Sequence, residues 1–126
     1  MGEEKRTSKI AQGVGEKSVY EALSYLQKDL KLDYSEIASV LKLSERAVAR
    51  WFSAKRVCKK NHLIVSQLIL VYKNLRSMFS VSENRIAWLK TRHRDFGKSP
   101  LEKMKESRGL QKVRMYLDYI VKVRGA

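Results

Sequence analysis

The sequence predicts an all-α fold, a helix-turn-helix bundle followed by a small helical C-terminal domain. Apolar residues recur at helical spacing through most of the chain, and capping signals stand at Ser18-Glu21, Asp33-Glu36, Ser44 and Ser99-Pro100-Leu101-Glu102. No stretch carries a trustworthy strand alternation of apolar and polar residues, and no internal repeat stands out.

Residues 1–17 are polar and hold too few apolar side chains to offset the entropy of ordering, so they read as a mobile polar tail. Ser18 to Glu21 fits a capping box. Behind it Val19, Ala22, Leu23, Leu26 and Leu30 line one face of a helix ending near Leu32. Asp33 to Glu36 repeats the box and opens a short helix through Ile37, Ala38, Val40 and Leu41, stopping around Lys42. Ser44 caps a third helix, Glu45 to about Ser53.

From Asn61 to Phe79 neither Gly nor Pro intervenes, and Ile64, Leu68, Val71, Leu75 and Met78 keep helical spacing. The run LIVSQLILVY also suits a strand by composition; its length favours helix. Leu63, Ile69, Leu70 and Tyr72 make this helix apolar on nearly all sides, so it is expected to be buried between two modules or two subunits. Ser82 opens a short helix ending near Lys90. After a loop of mixed charge, Ser99 and Pro100 give the strongest helix start in the chain. Gly109 is expected to close that helix in the left-handed conformation, and Leu110, Val113, Leu117 and Ile120 form the stripe of a last helix. The organisation expected is a tail (1–17), a helix-turn-helix domain with a long linking helix (18–80) and a C-terminal helical domain (81–126).

The 126 residues carry 27 Lys and Arg against 13 Asp and Glu, a formal charge of +14. Each phosphate neutralised by such a surface releases a condensed counterion, which makes nucleic acid the leading partner class. The excess is uneven, +2 over residues 18–57 and +7 over 81–126. Net charge and sequence reading are therefore partly separate matters. One cysteine, Cys58, cannot form an internal disulfide. No apolar run is long enough to span a bilayer and nothing resembles a signal peptide, so a cytoplasmic protein without membrane contact is the expectation.

Tyr34 to Ser53 has the spacing of a helix-turn-helix. Ile37, Leu41, Leu43, Val48 and Trp51 fill the apolar positions, and Ala38 is small where the second helix crosses the first. The turn often uses Gly for a positive φ; here Lys42 stands there, at a cost of about 1 kcal/mol, so a slightly different turn is expected. On the third helix Ala47, Val48, Trp51 and Phe52 face inward and leave Glu45, Arg46, Ala49, Arg50 and Ser53 outward. Arg46 and Arg50, one turn apart, suit guanine O6 and N7, and Ala49 a thymine methyl. Ser44, Lys55 and Arg56 suit phosphates that fix register. An exposed arginine is ordinarily only solvated; two on the outward face of such a motif favour operator DNA.

The C-terminal run contains Trp88-Leu89, Phe96-Gly97-Lys98-Ser99-Pro100-Leu101, then Gly109, Val113, Leu117 and Ile120. It resembles the toxin-binding domain of Xre/MbcA/ParS-type antitoxins, and the preceding motif resembles their Xre-type half. That resemblance implies a non-enzymatic antitoxin that neutralises a RES-type toxin, one that consumes NAD or uses it for ADP-ribosylation. It further implies a homodimer that represses its own operon, and a C-terminal tail that reaches the toxin, making Ile120, Lys122, Arg124, Gly125 and Ala126 candidate contacts. The alternatives are a helix-turn-helix regulator whose C-terminal half only dimerises, and an interaction protein whose motif is merely structural.

Catalytic signatures are weak. His62 and His93 are far apart, Cys58 has no partner at ligand spacing, and no phosphate loop or nucleophile elbow occurs, so neither cofactor nor metal is expected.

Overall fold

The computed structural model describes residues 16–125, and the expected tail lies almost wholly outside that range. The described residues are all-α: α1 (Glu16–Leu30), α2 (Tyr34–Leu41), α3 (Glu45–Ala54), a 3-10 turn (Lys59–Asn61), α4 (His62–Met78), α5 (Ser82–Lys90), α6 (Pro100–Met104) and α7 (Gly109–Gly125). LIVSQLILVY is helical, its length having decided between helix and strand.

Three caps form as read. The Asp33 carboxylate accepts from the Glu36 amide while Glu36 reaches back to the Asp33 amide, and Ser44 and Ser99 each accept from the amide three residues on. The Ser18 cap does not form. Glu16 and Lys17, both good helix formers, carry α1 past it, and Ser18 sits inside the first turn.

Three helix ends follow a rule that the residue types hide. Lys31, Lys42 and Lys55, which follow α1, α2 and α3, take positive φ where glycine is usual, as does Arg108 just ahead of α7, all between 53° and 62°. All three ends close with the backbone bond of a Schellman motif, Leu32 N–H to Gln27 O, Leu43 N–H to Ala38 O and Arg56 N–H to Trp51 O, and after Lys31 and Lys42 an apolar residue turns back onto the core. Lys42 thus keeps the left-handed turn that was expected to be avoided, with φ 62°. Its ammonium offsets the strain by donating to the Met104 carbonyl at 3.2 Å and to the Lys105 carbonyl, capping the C-terminal end of α6. Burial holds its pKa below the usual lysine value. Lys42→Ala, which keeps the strain and loses the bonds, is expected to lower stability by about 1 kcal/mol, with Lys42→Gly closer to the parent; urea unfolding measures both.

The buried apolar residues of α1 to α7 form one continuous core, from Val19 and Leu23 through Val48 and Trp51 to Leu89, Met104 and Leu117. α4 packs chiefly against α7 and α1. Val65, Leu68, Val71, Tyr72 and Leu75 are buried, but Leu63 is 77% and Leu70 38% exposed, so α4 is covered on one side of the monomer and not all round.

Gly109 does not end α6. Arg108 takes the left-handed conformation and Gly109 begins α7, pressed so closely against the Lys103 carbonyl that a β-carbon would overlap the oxygen. Glu106 at this junction accepts from Lys98 and from Lys103, bonds that hold its carboxyl below the usual range.

One ion pair joins distant segments. Arg85 donates to both Asp29 oxygens at 2.9 and 3.0 Å and to the Phe79 carbonyl at 2.7 Å, while Ser82 donates to the Asp29 carbonyl. The pair is nearly buried and fixes α5 to the end of α1. Among the described residues no helix is long and apolar enough to cross a membrane.

Candidate functional site

Two surfaces stand out. The first is α3. Its inner face is anchored by buried Val48 and Trp51, while Phe52 is half-buried, stacked on Tyr34 at 4.5 Å and edge-on to Tyr20 at 5.6 Å. This anchoring settles which side chains face outward. Glu45, Arg46, Arg50, Ser53, Lys55 and Arg56 are exposed, Ala49 is half-buried between them, and Ser44 spends its hydroxyl on the Ala47 amide. Neither Arg46 nor Arg50 makes an ion pair among the described residues. The result is a rigid helix carrying uncommitted guanidinium groups one turn apart. Beside it Arg50, Arg56 and Lys60 edge a shallow cleft floored by Leu43, Ala47 and Trp51.

The second surface is the C-terminal half. The loop after α5 is folded around an aromatic cluster: Phe96 lies 5.0 Å from His93 and 5.0 Å from Tyr116, and Trp88 stands edge-on to both His93 and Phe96. Gly97, at φ 72°, makes the reversal that pairs the His93 amide with the Lys98 carbonyl. The Asp95 amide donates to His93 Nδ1, and the Tyr116 hydroxyl donates to Asp95 at 3.0 Å. Burial, then that carboxylate, push the Tyr116 pKa up. The cluster locks the loop onto α7 and so fixes the position of α7.

The candidate tail residues are part of α7. Ile120 is half-buried, Lys122 and Arg124 are exposed, Gly125 closes the helix, and Ala126 lies outside the described residues. The C-terminal tail that the resemblance implies is therefore helical through Gly125. Lys122 and Arg124 sit in its last turn, where cations suit the negative end of the helix dipole.

The sequence reading missed a further stripe. Met115, Tyr119 and Val123 are 55%, 64% and 57% exposed, four residues apart on the side of α7 turned away from buried Val113 and Leu117. Their i, i+4, i+8 spacing was the available signal. Three large apolar side chains aligned on an exposed helix face are costly to solvate and make this face a candidate docking surface. Among the described residues, no group of three His, Cys, Asp or Glu side chains is placed to hold a metal ion.

Comparison with known proteins bears on this half directly. Residues 74–120 match the family described as the antitoxin Xre/MbcA/ParS C-terminal toxin-binding domain. The match begins within α4, ahead of the boundary at residue 81 expected from sequence. No curated protein matches the chain in sequence. Among solved structures, a chain of the M. tuberculosis MbcT–MbcA toxin–antitoxin complex is similar at a TM-score of 0.61 and 21% identity. The likeness covers 82% of this chain and 93% of that one, and at such identity it is a likeness of fold. Residues 74–120 are thus similar to the Xre/MbcA/ParS C-terminal toxin-binding domain, and the chain shares its all-α fold with a chain of that toxin–antitoxin complex.

Proposed function

We propose that this chain is an antitoxin that neutralises a RES-type toxin through α7 and represses its own operon through α3, acting as a homodimer in the cytoplasm. The observation that carries the first half is the exposed apolar stripe of Met115, Tyr119 and Val123 beside Lys122 and Arg124, on the helix that ends the matched domain. Apolar anchors flanked by cations suit a cleft that binds an anionic dinucleotide such as NAD. Ile120, Lys122, Arg124, Gly125 and Ala126 remain the proposed contacts, with the stripe added to them.

The test is co-expression with the toxin encoded beside this gene. The parent chain is expected to restore growth, and Tyr119→Asp, at an exposed position, to abolish rescue while leaving the thermal midpoint unchanged. A neighbour that is harmless when expressed alone counts against the reading.

DNA binding is supported by the uncommitted Arg46 and Arg50 on the anchored α3. Each is proposed to take a guanine edge, with Ala49 against a thymine methyl and Ser44, Glu45, Ser53, Lys55 and Arg56 along the backbone and flanks. In a dimer the two α3 helices are expected to read an inverted repeat with half-sites about 34 Å apart. Arg50→Ala is expected to weaken binding to the operator by about 1–3 kcal/mol and to leave non-specific binding nearly intact, measured by mobility shift at fixed salt. An equal loss on unrelated DNA removes the base contact from the proposal.

A further inference from the structure

Acidic residues are spread unevenly along the chain. From Arg46 to Ser82 there is no Asp or Glu, although an even spread of the chain's 13 would put about four there, and the same stretch holds four Lys and four Arg. It begins on α3, the helix proposed to read DNA, and continues through the 3-10 turn into α4. The cations beyond α3 have no part yet in the proposed interface, apart from Lys55 and Arg56.

The fold fixes where those cations stand. Val57 is buried and its carbonyl accepts from His62 Nε2 at 2.9 Å, while the Asn61 side chain donates to Cys58 Sγ at 3.2 Å and the Asn61 amide to the Cys58 carbonyl. Lys59 and Lys60 therefore enter solvent from a pinned turn. Lys60 borders two clefts at once, the one beside α3 that it shares with Arg50 and Arg56, and a second, between α2, α4 and α7, that it shares with Arg108. Arg108 also leaves a fixed backbone, because Gly109 next to it is pressed against the Lys103 carbonyl. Arg50, Arg56, Lys60 and Arg108 make no ion pair among the described residues, and the one acidic group bordering either cleft, Glu106, is engaged by Lys98 and Lys103.

From this arrangement we infer that the DNA interface does not end at α3 but follows Arg56 and Lys60 onto Arg108, so that the C-terminal half also grips the phosphate backbone. The inference rests on the DNA-binding reading of α3. A single exposed cation is ordinarily only solvated. A line of them that continues from the reading helix with no free carboxylate between is what a strand carrying a charge at every nucleotide can follow. Such contacts fix position and add affinity without reading sequence. The half matched to a toxin-binding domain then meets DNA just ahead of the first residue of α7, while its proposed toxin contacts lie at the other end of that helix.

The test is the salt dependence of binding by the full chain to two duplexes of equal length, one from the region upstream of this gene and one of mixed sequence. Lys60→Ala and Arg108→Ala are each expected to lower the slope of log affinity against log salt by about 0.9 and to weaken binding roughly five- to tenfold at about 0.1 M salt, equally on both duplexes. Arg108→Lys keeps the charge and is expected to keep the slope. Lys73→Ala removes the same charge from the same acid-free stretch but borders neither cleft, and is expected to match the parent. All three positions are exposed, so circular dichroism and thermal midpoint should not change. An Arg108→Ala slope equal to that of the parent overturns the inference and leaves the α3 reading standing. An equal fall in slope with Lys73→Ala also overturns it, because net charge alone then accounts for the effect. A parent chain that binds neither duplex removes the α3 reading itself, and this extension with it.

Discussion

Replacing Arg85 with alanine is expected to cost about 3–5 kcal/mol. The reason is what stays behind. Asp29 loses both guanidinium bonds, its side chain is only 16% exposed, and the Phe79 carbonyl loses its donor at the same time. The Tyr72 hydroxyl does not fully replace them: it lies close to Asp29 without the geometry of a good hydrogen bond, and burial, then its approach to the Asp29 carboxylate, pushes its pKa up to about 12. A small domain holds about 5–15 kcal/mol in all, so Arg85→Ala approaches the limit of folding, whereas Arg85→Met together with Asp29→Asn removes both charges and should recover much of the loss.

A pH series gives an independent check on the pair. The Arg85 bonds hold the Asp29 carboxyl below its ordinary value of 3.8. A carboxyl depressed on folding contributes stability that is fully present above its unfolded pKa and lost as pH falls through the folded one. The parent is therefore expected to lose this contribution progressively below about pH 4, while Arg85→Ala, having lost it already, is flatter there. The gap between the two urea midpoints should narrow from pH 7 to pH 3; a gap that widens on acidification would contradict the assignment.

What the sequence disclosed and what it hid divides along a physical line. Caps are local, a side chain and an amide three residues apart, so Asp33, Ser44 and Ser99 were legible. Apolar periodicity is also local, and it placed Val48 and Trp51 inward and Arg46 and Arg50 outward. The α3 face was accordingly readable almost residue by residue. Other features depend on neighbours far along the chain. Asp29 and Arg85 are 56 positions apart, and Lys42 tolerates a left-handed turn because of carbonyls more than 60 residues away. Helix ends at Lys31, Lys42 and Lys55 carry no glycine to announce them. The Met115, Tyr119 and Val123 stripe was present in the letters, but periodicity alone does not say which of two apolar faces of α7 meets the core.

Gly109 is where local reasoning gives the wrong sign, and the second large effect follows from it. On helix propensity alone, alanine at the start of α7 should gain up to about 1 kcal/mol, and its stiffer unfolded chain adds to that. Packing opposes both. The new methyl group would overlap the Lys103 carbonyl oxygen and come within 3.1 Å of Met104 Cα, and these are backbone atoms that no rotamer change can move aside. To admit it, α6 and α7 must separate, loosening Met104, Leu110 and the carbonyls that Lys42 caps. Overpacking against backbone costs about 3 kcal/mol or more, so packing wins and the thermal midpoint of Gly109→Ala should fall by roughly 10 °C. Gly97→Ala supplies the contrast. Its β-carbon would meet nothing within 4 Å and the cost is only that of a positive φ, about 1 kcal/mol. If calorimetry finds Gly109→Ala no worse than Gly97→Ala, the close crossing of α6 and α7 is wrong, and the placement of the proposed toxin-binding face along α7 must be redrawn with it.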